Sequence, residues 1–376
     1  MRQLGLYVHI PFCVKKCRYC DFLSFAGIDN SVYSTYVKAL LRDISHRNGS
    51  GFSVDSIFFG GGTPSLLEPI DLEYILAKIY QQFSVTPGAE ISLEANPKTL
   101  SKSKLIAYRN LGINRISIGA QSMDDKLLDY IGRVHNSADF LENYRDARAC
   151  GFKNINVDLM FALPGQTKTQ WLNTLKQVID LEPEHISFYS LQLEKGTPFY
   201  QMFEAGTLKE MDDETDRQMY WEGVYLLEKC GYFHYEISNA AKFGYKCRHN
   251  LKYWSMEEYL GLGLGAHSYV DGKRFSNETD LDTYIQSGDG SFIVWKHTNT
   301  YQDEISEFIF TGLRKIEGIS LKKFEQKFGI SLIDIYKNEV NKHIQKGLLE
   351  IDPTDHQLRF TRKGIDLSNT VLIDFV

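Results

Sequence analysis

The sequence predicts an α/β protein: an open, partial (β/α)6 barrel followed by a smaller helical, winged-helix-like domain. Three observations carry that expectation. From the N-terminus to about residue 235, six short β-rich runs alternate with longer stretches of helical periodicity, the pattern of parallel strands joined by helical crossovers. The strand runs are mostly apolar, as expected where both faces of a sheet are covered. From about residue 301 the chain turns helical and ends in "GLLEIDPTDHQLRFTRKGIDL", a two-stranded wing and a short helix.

In chain order the strands fall at residues 4–10, 55–60, 90–97, 114–122, 154–165 and 185–194. Helical stretches lie between them, among them "SVYSTYVKALLRDISHR", "DLEYILAKIYQQF", "ADFLENYRDARAC" and "WLNTLKQVIDL". Gly112, Gly151 and Gly231 each follow such a stretch, where a left-handed residue ends a helix. Six units are too few for a full eight-fold barrel, and a doubly wound sheet stays open because periodicity does not decide closure. Either way function gathers at the C-terminal ends of the strands. Residues 236–300 are rich in aromatics and glycine and read as irregular structure beside a site. The expected domains are thus 1–235, a connecting region 236–300, and 301–376.

Composition excludes several classes. The 376 residues carry a net charge of −6, against the basic excess of a nucleic-acid binder. Residues 301–376 hold eleven basic and twelve acidic side chains, a poor footprint for a DNA-binding winged helix. No apolar run approaches the ~18 residues of a membrane span. The start of the chain has no signal-peptide core, so a cytoplasmic protein is expected. In that compartment six cysteines are not a disulfide framework. Cys150 and Cys230, each ahead of a helix-ending glycine, read as small buried hydrophobes.

The other three cysteines, Cys13, Cys17 and Cys20, follow the first strand as C-x3-C-x2-C. Three thiolates hold a soft metal or an iron–sulfur cluster. Structural zinc needs a fourth ligand, typically from a second pair, and no second pair is present. His9 is close enough to be considered, so zinc remains an alternative. A [4Fe–4S] cluster on three cysteines leaves one iron open. Polar or glycine groups also mark the strand ends: "FFGGGTP", Glu94 with Asn96, Gln121, and Asp158 ahead of "LPGQT". Buried polar groups at equivalent places need partners or a ligand.

With an open iron at the mouth of a partial parallel barrel, the chain resembles the radical SAM superfamily. "YVHIPFC", "KCRYCDF", "FFGGGTP", "ISIGAQS", "IGRVH" and "VDLMFALPGQT" resemble its oxygen-independent coproporphyrinogen III dehydrogenase group, HemN, together with the related heme chaperones, HemW. The resemblance implies that Cys13, Cys17 and Cys20 bind a [4Fe–4S] cluster whose open iron chelates S-adenosylmethionine. It makes Tyr7, Tyr19, Gly62, Thr63, Glu94, Gln121, Arg133 and Asp158 the candidate S-adenosylmethionine contacts. Glycine lets the backbone approach the methionine end closely, Glu94 and Asp158 can accept from ribose or amine, and Arg133 can pair a carboxylate.

Within the group three points favour the heme chaperones. Phe22 stands where the dehydrogenases carry a further cysteine. The dehydrogenases carry an N-terminal extension before the cluster strand, whereas here that strand is expected to start near residue 4. "HNLKYW" from His249 to Trp254 fits the chaperones' H-N-x-x-Y-W motif. A neutral imidazole is a good axial ligand for heme iron, and Tyr253 and Trp254 can cover a porphyrin. His249 is therefore the candidate heme ligand, with His267 a second, and a satisfied histidine in an aromatic loop is the bland alternative. Heme, heme-accepting respiratory apoproteins and an electron donor are the implied partners, without nucleic acid. A homodimer and a peripheral membrane contact stand open, and oxidative decarboxylation of coproporphyrinogen III is the competing activity.

Overall fold

The computed structural model of the chain describes every residue except 289 and 291. Its centre is a parallel sheet of β1 (Arg2–Ile10), β2 (Phe52–Gly61), β3 (Val85–Ala95), β4 (Arg115–Gln121), β5 (Ile155–Phe161) and β6 (His185–Ser190). Every neighbouring pair is parallel. Spatial order follows chain order without reversal. A doubly wound sheet reverses its order at a switch point, so this is the partial barrel. The crossovers are α1 (Asn30–Ser45), α2 (Pro69–Gln82), α3 (Lys102–Asn110), α4 (Asp125–Tyr130), α5 (Ser137–Ala149) and α6 (Lys168–Ile179). Their N-termini use the short polar caps the sequence offers. Asp29, Ser101 and Asp124 accept from backbone N–H groups, and Asn136 and Thr167 close capping boxes, each stabilising its helix by ~1 kcal/mol.

Strand alternation divides core from site. Leu6, Val8, Ile57, Phe59, Leu93, Ile116, Ile118, Val157 and Leu159 are buried under the helices, each contributing ~1.5–3 kcal/mol of transfer free energy. The opposite parity lines the barrel interior and is unusually polar: Ser92, Glu94, Arg115, Ser117, Asn156, Asp158, His185 and Ser187. A barrel filled only for stability carries Val, Ile and Leu there.

The sheet grows at both edges to twelve strands. After α7 (Pro198–Glu204) and α8 (Asp213–Lys229), the hairpin of β7 (Phe233–Glu236) and β8 (Asn239–Ala241) joins β6. β9 (Tyr259–Leu262) pairs parallel to β1, and β10 (His267–Val270), β11 (Lys273–Asn277) and β12 (Ile293–Thr298) follow antiparallel. β1 and β6 thus meet new strands rather than each other, and the barrel stays open. The expectation of irregular structure over 236–300 is corrected here. Asp271 and Gly272 both take positive φ (53° and 67°), the type I′ geometry that joins β10 to β11.

Between β8 and β9, α9 (Arg248–Trp254) lies against β1 and β2 from the barrel side. Gly5 makes this approach feasible. A Cβ there would stand 2.9 Å from Lys252 and 3.2 Å from the His249 ring. At the C-terminus, Tyr301–Gly312 leads into a small domain whose three antiparallel strands include the expected wing, Leu349–Ile351 with Gln357–Phe360. Trp221 donates to Asp366 at 2.9 Å, and the Arg362 guanidinium lies 4.3 Å over the same indole, holding this domain to α8. Of the scattered cysteines only Cys247 is buried. Cys150, at the C-cap of α5, is half-buried and packs against the edge of the core, whereas Cys230, at the C-cap of α8, is exposed. Among the described residues no helix is long and apolar enough to cross a membrane.

Candidate functional site

The loop from β1 to α1 carries the three cysteines over the C-terminal mouth of the barrel. It is anchored along its length. Arg18 exchanges backbone hydrogen bonds with Ile131 and Phe199, Phe25 N–H donates to Pro11, and Lys16 Nζ donates to the Phe22 carbonyl. His9 fastens it from below. The Leu23 carbonyl can only accept, so His9 Nε2–H donates to it at 2.9 Å, and Nδ1 accepts from the Tyr7 hydroxyl at 3.0 Å. Burial lowers the His9 pKa and keeps the ring neutral. With both nitrogens engaged, His9 is not placed as a metal ligand.

Cys13, Cys17 and Cys20 are all partly exposed and line one cavity of ≈300 Å³. Thr63 Oγ1 lies 3.6 Å from Cys13 Sγ and Arg133 Nη1 3.5 Å from Cys17 Sγ. Burial raises the Cys20 thiol to about 11, and its neighbouring thiols add to the rise. Thiols so crowded ionise only when a metal takes up their charge. Among the described residues no three His, Cys, Asp or Glu side chains converge as around a single ion. A zinc would draw its donors to ~2.3 Å, whereas an iron–sulfur cube spreads one thiolate to each iron. Three thiols on one wall of a shared cavity suit the cube better.

The remaining walls come from the strand ends. β2 ends in Gly60 and Gly61, and Gly62 follows it. A Cβ on Gly61, whose φ is +112°, would fall 2.5 Å from the His9 ring, and one on Gly62 would fall 2.6 Å from the Phe12 carbonyl. Glu94 accepts from Gly61 N–H at 3.1 Å. Burial, reinforced by the Asp158 carboxylate, pushes its carboxyl up to about 8, so it carries its proton near neutral pH. Asn96 donates to Thr63 at 2.8 Å, while Arg133 donates to Asn96 and, at 2.7 Å, to the Gly119 carbonyl. Ser117 and Asn156 hold the two oxygens of Asp158 at 2.9 and 2.7 Å. Gln121 sits at a β-bulge with φ +64°, a strained backbone of the kind found beside ligand sites.

The structure therefore gathers Cys13, Cys17, Tyr19, Cys20, Gly62, Thr63, Glu94, Gln121, Arg133 and Asp158 around one space. Tyr19 also packs on the apolar cluster of Leu127, Leu128 and Phe199. Tyr7 lies a layer lower and lines a second, smaller chamber of ≈140 Å³. Sequence reasoning passed over His9 as an anchor, and Ser117 and Met160 as lining. Their signal was strand parity, since Ser117 and Gly119 share the inner face of β4 with Gln121.

His249 lies at the floor of the lower chamber and is 1% exposed. Its Nδ1 meets Ser56 Oγ at 3.0 Å and its Nε2 meets Tyr253 OH at 2.9 Å. The ring stacks on Phe58 at 5.3 Å. Burial, then the Lys252 and Arg115 cations, push its pKa down to about 3. In this conformation both nitrogens are engaged. Trp254 does not join it, packing instead beneath the Arg314 guanidinium at 4.5 Å. His267 is exposed at the start of β10, close to the loop, where Gly265 meets Leu23. Phe22 is 60% exposed at the edge of the upper cavity.

A sequence model of the radical SAM superfamily matches residues 7–178, and one of the HemN C-terminal domain matches residues 299–367. The chain is 36% identical over 375 residues to heme chaperone HemW of Bacillus subtilis (strain 168), covering 98% of each. It is 34% identical over 353 residues to heme chaperone HemW of Escherichia coli (strain K12), covering 92% of this chain and 91% of that one. The solved structure of coproporphyrinogen III oxidase (HemN) from Escherichia coli, a radical SAM enzyme, aligns with a TM-score of 0.85. That alignment covers 100% of this chain and 90% of the other at 24% identity, a likeness of fold alone.

Proposed function

The chain belongs to the heme chaperone HemW family of radical SAM proteins, and from that membership we propose that it binds heme and passes it to heme-requiring respiratory apoproteins. The observation that carries this reading over the dehydrogenase alternative is Phe22. It is an exposed phenyl ring at the cavity edge, at the position where the resembling dehydrogenases have a cysteine.

Cys13, Cys17 and Cys20 would each hold one iron of a [4Fe–4S] cluster, leaving the fourth iron to S-adenosylmethionine. When bound, that pair supplies one-electron cleavage of the sulfonium, which requires an external electron donor. The chain's own contribution is positional. Gly62 and Thr63 offer backbone at close range to the methionyl end. Glu94 holds a proton near neutral pH, and Asp158, oriented by Ser117 and Asn156, presents an acceptor. Tyr7 supports the cluster strand through His9. Gln121 presents an amide from its strained backbone, and Tyr19 lines the wall between two cysteines. Arg133 commits its two terminal nitrogens to Asn96, Gly119 and Cys17, while its buried Nε has no partner, so towards a bound carboxylate it offers its charge and that one N–H.

Heme iron would be taken by a histidine. His249 can do so only if Ser56 and Tyr253 release it and α9 moves outward, because a chamber of ≈140 Å³ is below the ~300 Å³ of ordinary small-molecule pockets. His267 is exposed as it stands. The test against the alternative is anaerobic incubation with reductant, S-adenosylmethionine and coproporphyrinogen III, read by mass spectrometry. The reading expects untouched substrate, and a divinyl product would overturn it.

A further inference from the structure

We propose that the barrel holds a second ligand site below the cluster cavity, a small chamber in which Arg115 receives the carboxylate of a small organic acid. The chamber measures ≈140 Å³, the space of about four or five water molecules. Arg115 rises into it from the first position of β4 and is 2% exposed. Its Nε has no hydrogen-bond partner. Among the described residues no carboxylate comes within ion-pairing distance of its guanidinium. Nearby acidic groups favour its charge only through space, and a buried donor left unmade is costly, so the fork has a place for an acceptor from outside the fold.

The nearby carboxylates are committed elsewhere. Glu90 accepts from the backbone N–H of Arg248 and of His249, both at 3.1 Å, and from the Cys247 thiol at 3.6 Å. Asp158 is held by Ser117 and Asn156. Both act on Arg115 only through space. A planar guanidinium pairs a carboxylate bidentately. The Asp158 charge on the chamber wall opposes a doubly charged anion such as phosphate, and Glu94, protonated near neutral pH, leaves a single negative charge tolerable.

Placement gives the site meaning. Glu94, Ser117, Asp158 and Tyr189 line both spaces, so a ligand on Arg115 lies directly beneath the cluster cavity. The floor is His249, Asn250 and Tyr253, which gives the H-N-x-x-Y-W segment a structural task independent of heme.

The test is titration of [1-13C]propionate into cluster-reconstituted full-length protein at constant ionic strength set by chloride, with propionate without protein as control and 13C line broadening as readout. Saturable binding is expected, weakened at least tenfold in Arg115→Gln and in Arg115→Met, which removes the buried charge altogether. Arg115→Lys, which keeps the charge without the fork, should weaken binding several-fold and covers the case where the other two fail to fold. Broadening no greater than that of propionate without protein at the same ionic strength, or equal affinity in the folded variants, overturns the proposal. Heme titration of the wild-type protein reads the chaperone function separately, so the two claims fail independently.

Discussion

Arg133 Nη1 lies 3.5 Å from Cys17 Sγ, and the same guanidinium reaches Cys13 through Asn96 and Thr63. One cation is thus tied to two of the three thiols meant for the cluster. A positive charge at that distance favours the more negative, reduced state of a cluster. Arg133→Gln should therefore lower its midpoint potential, by roughly 60 mV if the lost interaction is about 1.4 kcal/mol for a one-electron couple. Arg133→Lys should restore part of the shift. Redox titration followed by electron paramagnetic resonance reads both, and an unchanged potential in Arg133→Gln would refute the coupling.

His9 joins Tyr7 to the cluster loop through two hydrogen bonds. His9→Ala leaves the Tyr7 hydroxyl without its partner and frees Leu23, at a cost of about 1–3 kcal/mol. Chemical denaturation should show that loss. Amide exchange at Phe25, whose N–H bonds Pro11 across the loop, should quicken while the α6 amides keep their protection. Uniform loss of protection would mean that His9 serves global stability rather than the loop.

Gly61 combines a φ of +112° with no room for a Cβ beside His9. Gly61→Ala is expected to destabilise the protein by several kcal/mol, since the alanine is strained by ~1–3 kcal/mol and also displaces the imidazole. Gly206→Ala, at φ +70° with open space around it, should cost only the backbone strain. Thermal unfolding of the two variants separates clash from strain.

His249 titrates near 3 in the fold against about 6.5 unfolded. Above pH 6.5 it is neutral in both states and carries no penalty. As pH falls from 6.5 towards 3 the unfolded state binds a proton that the folded state refuses, and stability drops by up to about 1.4 kcal/mol per pH unit. His249→Gln should flatten the slope of stability between pH 6 and pH 4.5 by up to one proton. An unchanged slope would mean that the imidazole is reached by water in the native state.

Much of the site was legible in the chain because it breaks strand rules. Glu94 and Asp158 are carboxylates inside apolar runs, and Cys13, Cys17 and Cys20 lack a second pair. Residues of that kind are tolerated in a parallel barrel only where they face a cavity. The depth of each residue was not legible. Tyr7 and Gln121 stood alike as candidate S-adenosylmethionine contacts, yet register places one beneath the mouth and the other on it. β9 and β10 were hidden by their length, since they span four residues each and alternate too briefly to register. The Asp271–Gly272 turn was their one clear signal. Nothing local in "HNLKYW" states that α9 enters the barrel. Gly5, some 240 residues earlier, makes that room, and only the fold brings the two together.

The central claim is heme handling, and its most direct test is a heme titration of the cluster-reconstituted protein, followed by absorption. The account predicts a saturable shift of the heme band at one heme per chain, weakened in whichever of His249→Ala and His267→Ala removes the axial ligand. A titration with no saturable shift would contradict it.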